Sequence, residues 1–265
     1  MQLFDSHCHL DDKAYAKDLP EVLDNAARAG VTRMTTIGVD LKTASACVNI
    51  AEKTPGVMAT VGFHPHDAKS CSEAALAELV ALAASPSVVA WGEIGLDFNR
   101  MYSPKKVQER WFVRQLAISE RLNLPIVLHE RDSGGRLIDI LRSDFSAGRT
   151  GVVHCFSGTA EELDVYLEMG LSIGVTGIVT MKQRGGPLRA LVSRIPADRL
   201  LIETDAPYLT PSPERNRYRR NEPAFVRSVL LTLAKVRGET PEKLARETVA
   251  NACRLYRIDD APAAG

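Results

Sequence analysis

The segment FDSHCHLD, residues 4–11, ends a short apolar run with two histidines set two residues apart. In a strand, residues i and i+2 share a face, so His7 and His9 point at one object. The same construction returns along the chain. Short β-prone apolar runs occur at 2–5, 33–37, 58–61, 88–91, 126–129, 151–154, 171–173 and 200–203. Amphipathic stretches lie between them. One starts near Pro20 and stops at Gly30, a glycine suited to a helix C-terminus. Others span 41–52, begin at Ser72, and cover 104–122 with a proline in the first turn. Thr159 and Glu162 form a capping-box pattern ahead of another. Stretches 223–236 and 240–255 give two helices after the last strand.

Eight strand-like runs separated by helices or loops predict a (β/α)8 TIM barrel, an α/β fold of about 250 residues, with an extra C-terminal helix. A doubly wound sheet would show the same alternation, but no Gly-x-Gly-x-x-Gly follows the first strand. No linker or composition break divides the chain. A single domain over 1–258 is therefore expected, with a frayed tail at 259–265.

The polar residues decide more than the alternation does. Strands one, three, four, five, six and eight run into DSHCH, GFHPH, GEIGLD, HERD, HCFSG and ETDAP. In a barrel these ends meet on one face, where active sites sit. All six histidines of the chain fall in these segments. A core histidine satisfied by the backbone is the ordinary reading of any one of them, but not of the set. Imidazole and carboxylate together suit Zn²⁺, Mn²⁺ or Fe, and less naturally Mg²⁺ alone. His7, His9, Glu93, His129, His154 and Asp205 are too many ligands for one tetrahedral ion. Two ions about 3.5–4 Å apart, bridged by a carboxylate, would use them all and would activate water and polarise a phosphoryl or carbonyl oxygen.

Composition narrows the partners. The net charge is zero, with 33 basic and 33 acidic residues. That argues against nucleic-acid binding through global charge and leaves a local patch open. Five scattered cysteines without a C-x-x-C pair suit reduced thiols, and with them a cytoplasmic location. No signal-peptide pattern or membrane-length apolar run is read, so no membrane partner is expected.

DSHCHLD, GFHPHD, GEIGLDFNR, HERDS, HCFSGT, IETDAPYL and RRNEP, in that order, resemble the TatD family of metal-dependent deoxyribonucleases, amidohydrolase-like TIM-barrel hydrolases. The resemblance covers about residues 3–252. Glu130 departs from the pattern, adding a carboxylate where the family has a small or uncharged residue. The resemblance implies a divalent-metal-dependent nuclease with 3′-to-5′ exonuclease activity, acting on single-stranded DNA or RNA ends. It implies two divalent ions per chain (Mg²⁺, Mn²⁺ or Zn²⁺). One would be held by His7, His9, Glu93 and Asp205, and the other by Glu93, His129 and His154. Glu93 would bridge, and Asp205 would also take a proton from the attacking water.

Around this set, His64 is expected at the site or on a substrate phosphate, and His66 either there or in a turn. Arg131 stands two residues after a ligand and points near the site. Glu203, two before Asp205, is placed with the substrate-side residues or behind a ligand as its orienting partner. Asp97 and Arg100 are expected in a loop after strand four, solvated as loop charges usually are, with a phosphate contact as the alternative for Arg100. Cys8 and Cys155 are expected to face away into the core. The basic run PERNRYRRNEP offers Arg219 and Arg220 as phosphate contacts, with Tyr208 and Tyr218 near enough to stack on bases. Two other classes remain: a small-molecule ester, acyl or phosphotriester hydrolase, and a silent scaffold. The first lacks a carbamylatable lysine at the end of strand four, where Glu93 stands. The second would not need a complete ligand set. A monomer or weak oligomer is expected.

Overall fold

A computed structural model describes residues 1–259. The remainder of the expected tail, 260–265, lies outside the described residues. Eight parallel strands follow one another around a sheet in chain order. They are β1 (Leu3–Cys8), β2 (Val31–Ile37), β3 (Val57–Val61), β4 (Val88–Asp97), β5 (Ile126–Arg131), β6 (Gly151–Val153), β7 (Ser172–Val175) and β8 (Leu200–Ile202). Cys8 bridges to Ala206, and His9 N–H donates to Ala206 O at 2.7 Å, which joins β1 to the end of β8 and closes the TIM barrel. Asp5 pins the same seam. Its fully buried carboxylate accepts from Thr204 N–H at 2.8 Å and from the Thr204 hydroxyl at 2.5 Å.

Nine α-helices occur among the described residues: α1 (Leu19–Ala29), α2 (Leu41–Lys53), α3 (Glu73–Leu82), α4 (Lys105–Arg121), α5 (Arg136–Asp144), α6 (Ala160–Glu168), α7 (Gly186–Leu191), α8 (Val226–Arg237) and α9 (Pro241–Tyr256). Local chemistry sets their ends. Gly30 stops α1 in the left-handed conformation at φ 90°. Ser72 caps α3, and Thr159 with Glu162 forms the reciprocal capping box of α6. Pro104 is the N-cap of α4 rather than a residue inside its first turn.

The extra C-terminal helix has a definite place. Phe4, Met58, Ala90, Val127, Val152 and Leu201, from six strands, form one buried cluster with Val249, Ala252, Leu255 and Tyr256 of α9. Tyr256 O–H also donates to Ser6 O at 2.9 Å. Helix α9 thus packs against residues lining the barrel and leaves the opposite ends of the strands for chemistry.

Strand β4 is longer than its apolar run predicts. It continues through Gly92 and Gly95 to Asp97, buried throughout. A Cβ at Gly95 would lie 2.0 Å from His129 O. The glycine lets β4 pass against the backbone of the His129 strand, so it marks a close approach rather than a loop.

Candidate metal centre

The strand ends bring the six expected ligands together around Glu93, which is 2% exposed. Glu93 Oε1 lies 2.6 Å from His129 Nδ1 and 3.8 Å from His154 Nε2, and Oε2 lies 3.4 Å from His7 Nε2. Asp205 Oδ1 is 3.3 Å from His9 Nε2, 3.7 Å from His7 Nε2 and 3.8 Å from His154 Nε2. Ligand atoms converge in three overlapping sets: His7, His9 and Glu93; Glu93, His129 and His154; and His7, His154 and Asp205. Glu93 belongs to two of them.

The donor set fits divalent cations. Both ring nitrogens of fully buried His7 lack a hydrogen-bond partner among the described residues. Such orphans are costly unless something polar meets them. The His7 ring stacks on His154 at 3.4 Å between centroids. Two imidazolium ions would repel in that stack. Burial and the His154 charge push the His7 pKa down. Burial opposes charging at His154 too, but Glu203 and Glu93 outweigh it and lift His154 to about 10. The carboxylates are set for cations. Burial would raise Glu93 and Asp205, yet the surrounding histidines hold both below the usual carboxylate range.

Behind the candidate ligands stand two further carboxylates. Glu203, 1% exposed, places Oε1 2.8 Å from His154 Nδ1, although that nitrogen is not aimed squarely at it, and accepts Cys155 N–H at 2.6 Å. A Cβ at Gly174 would come within 2.4 Å of Glu203 Oε2, so the glycine makes room for this side chain. The expectation of Glu203 among substrate contacts is therefore corrected: it lies behind His154, out of reach of a polymer. Asp97 is the second. It is 1% exposed, and Oδ2 lies 2.7 Å from His66 Nε2 and 3.2 Å from His129 Nε2. Burial would raise its pKa, but these histidines and the Arg100 N–H hold it far down. The expectation of a solvated loop charge is corrected too, since Asp97 is the last residue of β4. The two carboxylates flank two of the candidate ligand histidines, the position from which a carboxylate can fix a metal ligand's tautomer.

His64 plays a different part from a ligand. Its Nδ1 accepts His66 N–H at 3.0 Å, which leaves the proton of the neutral ring on Nε2, 3.5 Å from Glu93 Oε1. Burial lowers its pKa to about 4. His64, His66 and His129 come near one another, but a protonated Nε2 has no lone pair for a metal. His64 thus presents a donor to Glu93 rather than a lone pair to a metal.

The arginines separate. Arg220 donates to Ala14 O at 2.6 Å, to both Asp18 oxygens at 2.9 and 2.8 Å, and to Glu222 at 2.9 Å, and it lies over the Tyr15 ring. Its expected role on a phosphate is corrected, because its donors already join the β8–α8 connection to the start of α1. Arg131, the last residue of β5, and Arg219, in the β8–α8 connection, are exposed. Glu130, the unexpected carboxylate, accepts Ser133 N–H at 2.9 Å and so shapes the turn after β5. Cys8 donates to Thr35 O and Cys155 meets Thr176; burial pushes both thiols far up, so they pack rather than react.

Known proteins resemble the chain over nearly its whole length. The TatD related DNase family matches residues 4–257. This chain belongs to the TatD family. It is 42% identical over 259 residues to the 3′-5′ ssDNA/RNA exonuclease TatD of Rahnella sp. (strain Y9602), covering 97% of this chain and 98% of that protein. It is 39% identical over 257 residues to the metal-dependent hydrolase YabD of Bacillus subtilis (strain 168), covering 97% of this chain and all of the relative. The crystal structure of the TatD homolog YJJV from Escherichia coli K12 superposes with a TM-score of 0.89 at 28% identity, covering 97% of this chain and 98% of that one.

Proposed function

We propose that this TatD-family chain is a divalent-metal-dependent nuclease that removes nucleotides from the 3′ ends of single-stranded DNA or RNA. The observation that carries the reading is the buried Glu93 carboxylate, shared by two sets of convergent ligands on the open face of the barrel. The exonuclease name of relatives at 42% identity supports the substrate class.

His7, His9, Glu93 and Asp205 would hold one ion, and Glu93, His129 and His154 the other. Bound together, two divalent cations supply Lewis-acid activation of a water and of a phosphoryl oxygen. The protein's own groups do the rest. Glu203 and Asp97 fix the rings of His154 and His129. Asp205 is ionised at neutral pH and, at 15% side-chain exposure, is far more open than Glu93 at 3%. It is therefore the carboxylate placed to accept a proton from an attacking water. His64, whose Nε2 lies 3.5 Å from Glu93 Oε1, would donate to that carboxylate or to a phosphate oxygen beside it. Arg219 and Arg131 flank the site as polymer contacts.

The test uses purified protein with Mg²⁺, Mn²⁺ or Zn²⁺ on end-labelled single-stranded DNA and RNA, beside a panel of carboxyl and phosphate esters. Stepwise shortening from the 3′ end, lost on chelation and regained with metal, is expected. Ester hydrolysis with intact oligonucleotides would overturn the reading.

A further inference from the structure

Two of the most exposed aromatic rings of the molecule touch the histidine cluster from different sides. Tyr102 is 56% exposed, and its ring meets His66 edge-on with centroids 4.8 Å apart. Tyr208 is 52% exposed and meets His9 edge-on at 5.7 Å. His66 belongs to the Asp97–His129 side of Glu93, and His9 to the Asp205 side.

Neither ring rides on a loose loop. Asp97 Oδ1 accepts Asn99 N–H at 3.0 Å and Arg100 N–H at 2.7 Å, and Asn99 Nδ2 donates to Asp132 at 2.7 Å. Beyond Tyr102, Ser103 O–H donates to His66 O at 2.8 Å, and Gln108 Nε2 donates to Ser103 O at 2.7 Å. The carboxylate that orients His129 therefore also anchors the loop that presents Tyr102. On the other side, Tyr208 N–H donates to Asp205 O at 2.8 Å, Tyr208 O accepts Asn221 Nδ2 at 2.6 Å, and the Tyr208 phenol donates to Asp12 at 2.9 Å. Two ordered segments thus hold large rings in water beside the metal ligands, where burial would otherwise be favoured.

Resting on the nuclease reading, we infer that Tyr102 and Tyr208 form a base clamp, each stacking on a base next to the phosphate that lies over Glu93. The ligand chemistry is the flat face of an unpaired nucleobase. Every base offers such a face, so the clamp tolerates any sequence. A base inside a duplex has both faces covered by its neighbours, so the clamp selects single strands and frayed ends. It accounts for that selection without a net positive charge.

The experiment combines ring removal with base removal. Wild type, Tyr102→Ala, Tyr102→Phe, Tyr208→Ala and Tyr208→Phe are assayed with Mn²⁺ on single-stranded oligonucleotides. Each oligonucleotide is normal or carries a tetrahydrofuran abasic residue at the terminal or penultimate position. An alanine change should raise KM by roughly five- to a hundredfold, with kcat less affected. Phenylalanine should restore most of the loss. An abasic residue at the matching position should impose the same loss on wild type, and the two removals together should cost no more than either alone. Losses that multiply, phenylalanine variants as impaired as alanine, or alanine variants with wild-type KM would each overturn the clamp. Wild-type protein inert on every oligonucleotide would overturn the nuclease reading, and the clamp with it.

Discussion

Asp97→Asn isolates the orienting carboxylate from the ligands. Asparagine preserves size, and its carbonyl oxygen can keep the Asn99 and Arg100 N–H bonds that hold the loop. What is lost is the negative oxygen 3.2 Å from His129 Nε2 and 2.7 Å from His66 Nε2. A hydrogen bond to a charged group contributes about 1.5–3 kcal/mol. Removing the partner that orients a metal-bound histidine typically weakens metal binding by about 10- to 100-fold. At about 1.4 kcal/mol per tenfold, that range is about 1.4–2.8 kcal/mol, so the two figures agree. Metal titration against a competing chelator should therefore show one ion bound about 10- to 100-fold more weakly, with the ion on the His7–His9 side less affected. Excess metal should restore most of the activity. Without metal, burial would lower the His129 pKa, but Asp97 and Glu93 hold it at about 9. Its NMR titration should fall in the variant. Metal affinity within about twofold of wild type, together with an unmoved His129 titration, would refute the orienting role.

Other outcomes follow from the same geometry. Arg219→Ala should lower kcat/KM on oligonucleotides by roughly ten- to a hundredfold, with the gap to wild type narrowing in salt. Arg220→Ala should instead lower Tm at unchanged metal content, because its partners are Asp18 and Glu222; a phosphate-type kinetic defect without a change in Tm would reverse that assignment. His129→Ala should lose activity in a way that excess metal partly restores, whereas Asp205→Asn should resist rescue; equal rescue would make Asp205 only a ligand. In metal-free protein, His129 and His154 are raised to about 9 and 10. Their contribution to stability is full below the unfolded value near 6.5 and is lost as pH rises through the folded values. The Tm of chelator-treated protein should then fall from about pH 6.5 to 10, while metal affinity rises over the same interval as fewer protons need displacing. A metal affinity independent of pH would contradict this.

Much of the barrel was legible because its signals are local. Each buried parallel strand is a short apolar run, and the histidines cluster at their ends. The misreadings have physical causes. Helices α5 and α7 start without a side-chain cap: a left-handed glycine precedes α5, and α7, though it has Pro187 in its first turn, opens on Gly185 and Gly186 and is only six residues long. Glycine also hid the far half of β4, and with it Asp97, since a glycine required by the backbone of the next strand reads locally as a loop. Arg220 sits in a basic run, but Asp18, which holds it, is 202 residues away in sequence. Glu203 was half legible: spacing from Asp205 marked it, while only the fold puts His154 in front of it.

The central claim is that Glu93 joins two ions in one nuclease site. The most direct measurement is metal content and cleavage of 3′-labelled single-stranded DNA by wild-type and Glu93→Gln protein, purified identically and supplied with Mn²⁺. Two ions per wild-type chain with stepwise loss of 3′ nucleotides, and fewer than two ions with no cleavage in the variant, is the predicted result. A Glu93→Gln protein that keeps both ions and still shortens the strand would contradict it.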